Sequence, residues 1–284
     1  EDYGVKRLGL FSTELAALAA FFPGGWQAPV QDVTREYQGF LLNQAGFRLR
    51  ALGRLEEAQT PFERRIALCV ERDDQMNAAV NSDNLSELHL TRGELQTALE
   101  RANDAVDIID RTEEKIWQFV FRAKTAHVLA IQGKVREAEA LFEQAERRKI
   151  QEVPKPPYLD SVLSFHYAAF LLRAASLSAL PGLAERVQAT LEVAKQVGDL
   201  LAIGLDTINL ARIAALSGDE TAAAQFNDAV AALRKAGSRD HIPRGYLARA
   251  GFRRTQGDLG GAWEDLAQVR HIAEPSGMRL FLCD

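Results

Sequence analysis

Cysteine is nearly absent from these 284 residues: Cys69 and Cys283 are the whole supply, and neither sits in a CxxC pair or at metal-ligand spacing from a histidine. That excludes a disulfide framework and makes a reducing, cytoplasmic setting the expectation. The histidines His89, His127, His166, His241 and His271 are scattered, with no HExxH and no Cys/His cluster, so no metal site is expected. A basic excess is also missing. With 34 Lys and Arg against 39 Asp and Glu, the formal net charge is −5, which leaves no electrostatic footprint for nucleic acid. No run of 18 uncharged apolar residues occurs, so no membrane span is expected. The apolar stretch at 8–22 is preceded by two acids and interrupted by Glu14, unlike a signal peptide. It reads as a buried helix, capped by Ser12 or Thr13 and stopped by Pro23-Gly24-Gly25.

Catalytic signatures are lacking as well. There is no GxxxxGK or GxGxxG phosphate loop between a strand and a helix, so no nucleotide or other cofactor is expected in this stretch. Cys69, and Ser161 or Ser164 with His166, have no GxSxG elbow and no convincing base and orienter; Cys69 at an apolar helix position reads as packing. Glu56-Glu57 and Asp73-Asp74 read as solvated faces. The chain is expected not to be an enzyme.

What is present is repetition. Gly53, Gly93, Gly133, Gly182, Gly218 and Gly257 stand 40, 40, 49, 36 and 39 residues apart, each opening a similar amphipathic phrase. Seven residues before them come Gly46, Ser86, Ala126, Ala175, Ala211 and Ala250, and five after them Ala58, Ala98, Ala138, Val187, Ala223 and Ala262. Nine after come Phe62, Ala102, Phe142, Leu191, Asn227 and Leu266; twelve after come Arg65, Ala105, Ala145, Ala194, Val230 and Val269. Asn227 and Arg65 are the misfits. Helix geometry accounts for the rest: each glycine can adopt the left-handed conformation that ends one helix and reverses the chain, and small residues let the two antiparallel helices approach closely.

This pattern resembles the tetratricopeptide repeat, matched most closely by Ala126, Gly133, Ala138, Phe142 and Ala145, over residues 38 to 284. The period near 40 exceeds the usual ~34. In this it is similar to the arrays attached to bacterial signal-transducing nucleotidases of the STAND class. The resemblance implies an all-α, right-handed α-solenoid of about six helix pairs, at 38–51 with 55–72, 75–91 with 95–111, 115–131 with 135–149, 158–179 with 183–197, 200–216 with 220–236, and 243–255 with 260–274. Residues 1–37 would supply an N-terminal helix and connector. KIQEVPKPP at 149–157 reads as a loop on one face of the stack. The chain starts without Met and stops at GMRLFLCD, so it is read as a fragment continuing beyond both ends.

First helices of such repeats line a concave face, and the matching positions carry Asn43, Phe47, Arg50, Asp83, Glu87, His127, Arg212, Arg244 and Arg254. These are the expected partner-binding residues. Acids fall in the second repeat and arginines toward the C-terminus, which suggests a groove polarised along its length. The position that chaperone-tail clamps fill with Asn holds Phe47, Glu87, His127, Ser176, Arg212 and Gly251, which disfavours that use. Trp117 and Trp263 read as packing residues, and Trp26 as reaching beyond its own repeat. The resemblance implies a protein- or peptide-binding sensor that controls a neighbouring NTPase module of the same chain. Alternatives are a freestanding peptide-binding scaffold, or a peptide-responsive regulator of transcription or phosphotransfer.

Overall fold

The structure, a computed structural model, describes Gly4 and residues 8–283. Among these residues there is no strand, and thirteen α-helices follow one another: α1 (Phe11–Ala19), α2 (Arg35–Ala51), α3 (Leu55–Glu71), α4 (Gln75–Thr91), α5 (Leu95–Ile109), α6 (Lys115–Ile131), α7 (Val135–Glu152), α8 (Ser161–Leu172), α9 (Leu180–Val197), α10 (Leu200–Ser217), α11 (Ala222–Ala236), α12 (Ile242–Thr255) and α13 (Leu259–Ser276). From α2 onward they form six antiparallel pairs of the α-solenoid type. The chain divides into two compact units: one holds residues 10–145 with 276–284, the other residues 1–9 with 146–275.

The hinge glycines explain the pairing. Gly53, Gly93, Gly133, Gly218 and Gly257 all have φ between +71° and +80°, the left-handed region that ends a helix without a Cβ penalty. The small residues sit where helices cross. Ala58, Ala98, Ala126, Ala138 and Ala211 have no solvent exposure, and a Cβ on Gly46 would lie 2.7 Å from the Phe62 ring.

Several sequence expectations are corrected. Gly182 is not a hinge: it lies inside α9, whose start is set by Pro181 in the first turn, and the preceding turn is the short 3-10 segment Leu177–Ala179. The first helix of that pair therefore stops at Leu172 rather than near 179. Its fully buried small residue is Ala168, packed with Leu180 and Val187, and Ala175 is only half-buried. In the fifth pair the buried face is shifted by one residue. The Ala222 amide donates to the Asp219 carbonyl in a tight turn, so Ala222, Phe226 and Ala229 fill the core while Ala223 and Asn227 are exposed. Asn227 was a misfit only because its neighbour Phe226 does the packing. Finally, α1 begins at Phe11, and neither Ser12 nor Thr13 caps it.

Arg65, the other misfit, is buried and pairs with Asp74 at 3.4 Å. Room for its guanidinium comes from Gly39, where a Cβ would collide with Arg65 Nη1. Trp263 is exposed, contrary to the packing expectation, while Trp117 stacks on Phe121 with ring centroids 5.4 Å apart. Trp26 packs on Phe22 at 5.2 Å and lies under the Arg54 guanidinium.

The proline-rich stretch is fastened in place. The Leu159 amide donates to Glu146 Oε1 at 3.0 Å, Lys149 donates to the Pro156 carbonyl, and Arg186 pairs with Glu146 while lying over the rings of Tyr158 and Tyr167. Among the described residues one helix, α10, is long and apolar enough on average to cross a membrane. It carries Asp206 and Arg212 and packs against α8, α9, α11 and α12, as a core helix does.

Candidate functional site

First helices touch one another within each unit, α2 with α4 and α4 with α6 in one, α8 with α10 and α10 with α12 in the other. Each unit thus presents a row of first-helix side chains, and nearly all the candidate binding residues fall on these rows.

In the unit of residues 10–145, three successive first helices join in one ionic network. Arg50 of α2 pairs with Glu87 of α4. Lys124 of α6 lies 2.8 Å from Glu87 and also pairs with Asp83 of α4. Two cations face two anions, so this part of the row is charge-matched, and the acidic residues do not form a free negative patch. Phe47 lies beside the network, its ring 5.6 Å from the Arg50 guanidinium carbon and 6.1 Å from the ring of Phe11 in α1. α1 is held there by Glu14, which accepts from Arg48 Nε at 2.8 Å. His127 is buried on α6. Asn43 is half-buried, and its Oδ1 is a buried acceptor without a hydrogen-bond partner. The same holds for Oδ1 of Asn81, a fully buried residue of α4 whose amide donates to the Asn77 carbonyl at 2.8 Å. Buried amide oxygens left unsatisfied are costly unless something else supplies a donor.

The other unit differs. Arg212 of α10 is half-buried, donates to Asn209 Oδ1 at 3.4 Å, and has its pKa pushed down to about 10 by burial and then by the neighbouring positive charges of Arg244 and Arg173. Arg244 of α12 lies over the Phe165 ring at 5.8 Å and is likewise held to about 10 by burial, partly offset by Asp240. Asn209 is fully buried and fixed by donating to the Phe165 carbonyl at 3.0 Å. Arg254 stands apart, exposed at the end of α12. Beneath this row, Asp206 is fully buried. Its Oδ2 lies 2.8 Å from Thr190 Oγ1, which is 2.8 Å from Ser164 Oγ. Burial raises the Asp206 carboxyl to about 7.

Of the residues expected from the sequence, Phe47, Arg50, Asp83 and Glu87 lie on first helices of one unit, and Arg212 and Arg244 on first helices of the other. Sequence reasoning missed Lys124, Asn81, Asn209 and Arg173. Lys124 was visible as the residue three before His127, on the same helical face. Arg173 was hidden by the misplaced hinge at Gly182. Cys69 is buried, and burial pushes its thiol to about 11, as suits a packing residue and not a nucleophile. Among the described residues no group of three His, Cys, Asp or Glu comes together to hold a metal.

The pairs, hinges and first-helix rows define a tetratricopeptide-type α-solenoid. No family model and no curated protein matches the sequence. Solved structures do share its fold. A Rap protein complexed with competence and sporulation factor aligns with a TM-score of 0.60 at 12% identity, covering 96% of this chain and 79% of that one. The Rap conjugation gene regulator of the plasmid pLS20, in complex with a Phr peptide, gives 0.63 at 12% identity over 85% and 67%. A STAND protein with a tetratricopeptide repeat sensor from Pyrococcus horikoshii gives 0.53 at 12% identity; the match covers 95% of this chain and 40% of that protein.

Proposed function

We propose that this chain is a non-catalytic recognition module that binds an extended peptide or protein segment along its first-helix rows. The observation that carries the reading is the placement of polar groups. In a fold whose second helices bury alanine and phenylalanine, the first helices carry charged and amide side chains. A peptide laid along these rows meets their partly exposed charged groups, Glu87, Lys124 and Arg212 among them, which position it. Two structures of similar fold hold a bound factor or peptide, which supports the same use here.

The module would act as the sensor or regulatory part of a larger protein, a STAND-type signalling NTPase in the first reading. Ligand binding would have to favour the released state over the inhibited one, since equal affinity shifts nothing. A second reading, a peptide-responsive regulator of transcription or phosphotransfer, is favoured by the higher TM-scores of the Rap structures. A P-loop encoded in the same gene would support the first reading, and a helix-turn-helix or phosphatase segment the second.

Binding itself is tested by selecting a displayed random octapeptide library against the chain and mapping hydrogen-exchange protection with an enriched peptide. Protection is expected on α4, α6, α10 or α12. No enrichment, or protection confined to second helices such as α5 and α11, would refute the proposal.

A further inference from the structure

Large apolar side chains stand in register on three successive first helices of the unit of residues 10–145. Phe40 of α2, Val80 of α4 and Val120 of α6 are forty residues apart, each thirteen before its hinge glycine. Tyr37 stands three before Phe40, while Met76 and Ile116 stand four before Val80 and Val120, so each pair shares one helical face. Two turns further on, seven residues later, the same faces carry Phe47, Glu87 and His127. The apolar pairs therefore occupy the N-terminal halves of a row whose C-terminal halves hold the ionic network. The helices are neighbours, α2 touching α4 and α4 touching α6.

Packing accounts for only part of these side chains. Met76, Val80 and Val120 are partly buried against the cluster of Ala79, Ala105, Ile109 and Phe121. Tyr37, Phe40 and Ile116 are left to solvent, at 54%, 49% and 53% exposure. The rings of Tyr37 and Phe40 rest on each other with centroids 5.7 Å apart, which gives this end of the row a fixed aromatic surface. Apolar side chains exposed singly are ordinary, but a run of them across three adjacent helices marks a contact surface. The other unit has no counterpart: thirteen residues before Gly218 and Gly257 stand Leu205, fully buried, and Arg244.

We propose that Tyr37, Phe40, Met76, Val80, Ile116 and Val120 form an apolar anchor track, which receives hydrophobic side chains of the bound peptide. The inference rests on the peptide-binding reading above and adds the class of ligand. Beside the track Arg50 and Lys124 are answered by Asp83 and Glu87, so this part of the row has no net charge with which to select an acidic or a basic sequence. Selection falls to apolar contact, and an aromatic or branched aliphatic side chain fits a surface of rings and methyl groups. Packed helix axes lie about 8–10 Å apart, and an extended chain advances about 3.3 Å per residue. Two anchors three residues apart therefore reach successive helices.

The test is fluorescence anisotropy with labelled octapeptides of Gly, Ser and Ala in which two positions, three residues apart, are randomised over Phe, Leu, Ile and Trp. The comparison set carries Asn, Gln, Ser and Thr at those positions. The apolar set is expected to bind roughly tenfold tighter. That difference should persist as salt rises, because screening acts on charges. A benzophenone-bearing residue at one anchor position should cross-link the wild-type chain within residues 37–40, 76–80 or 116–120. The double variant Tyr37→Ser with Phe40→Ser should lose the preference while melting as wild type does, since both rings are already half in water. A merely structural role would instead lower the melting temperature and leave the preference intact, overturning the proposal. Cross-links confined to α10 or α12 overturn it too, as does equal binding of both sets by the wild-type chain, and neither needs a folded variant. Equal binding leaves the peptide-binding reading standing, whereas no binding by either set, together with failed library selection, removes both.

Discussion

At the scale of single residues, two buried groups make opposite demands on their surroundings. Ala138 has no exposure, and a larger side chain there pushes two helix axes apart. Ala138→Leu should cost about 1–3 kcal/mol by overpacking, read as a lower melting temperature; an unchanged melt would show that the crossing tolerates volume. Asp206 is limited by charge instead. Thr190 Oγ1 lies 2.8 Å from Asp206 Oδ2 and 3.0 Å from the Val187 carbonyl. A protonated Asp206 can donate to Thr190, leaving the threonine hydroxyl to donate to Val187, whereas an ionised one competes for that single proton. Its folded pKa of about 7 lies above the ordinary value of 3.8, so the protonated form favours the native state. That contribution is complete below about pH 4 and is lost as pH rises through 7, at roughly 1.4 kcal/mol per pH unit. Asp206→Asn should flatten the fall in stability between pH 4 and 7 in chemical denaturation. A wild-type curve already flat over that range would contradict the assignment.

At the scale of helices, legibility followed the hinges. Five of the six anchor glycines have positive φ, and the helices around them ended within three residues of the sequence reading. The fourth pair was misread because its turn contains no left-handed glycine: Pro181 opens α9 by fixing φ, so Gly182 was an unrelated helical residue. That one displacement concealed Ala168 and Arg173 together. Side-chain networks were less legible, since spacing within one helix gives a face but not the residue that meets it from the next. Lys124 shows the consequence. It answers both Asp83 and Glu87, so Lys124→Met leaves Asp83, only 4% exposed, without its cation. Its own partial exposure lowers the cost below that of a fully buried pair, to about 1–3 kcal/mol. Adding Asp83→Asn should recover much of that loss in urea denaturation. If the double variant is no more stable than the single one, Lys124 acts through its aliphatic packing and not through its charge.

At the scale of the whole molecule, the compact unit of residues 10–145 is completed by the last residues of the chain. After Gly277 the segment turns through a short 3-10 helix, Arg279–Phe281, against α4. Met278 is fully buried and Phe281 nearly so. Hinge glycines and this segment fit one another: a Cβ on Gly53 would lie 2.7 Å from Ser276 Oγ and 2.9 Å from Met278 Cε, and one on Gly93 would lie 3.3 Å from Arg279 Cβ. The two glycines therefore end their helices and also leave space for residues 276–280, a second role that the repeat pattern alone does not reveal. Burying Met and Phe side chains contributes about 1.5–3 kcal/mol each. Removing residues 276–284 should thus lower hydrogen-exchange protection across α2 to α5 by an amount corresponding to about 3–6 kcal/mol, with α10 and α11 unchanged. Met278→Ala should reproduce roughly half of the effect, because it empties the position against Gly53 while leaving Phe281 in place. Unaltered protection of α2 to α5 in both variants would mean that the unit is already complete without its final segment.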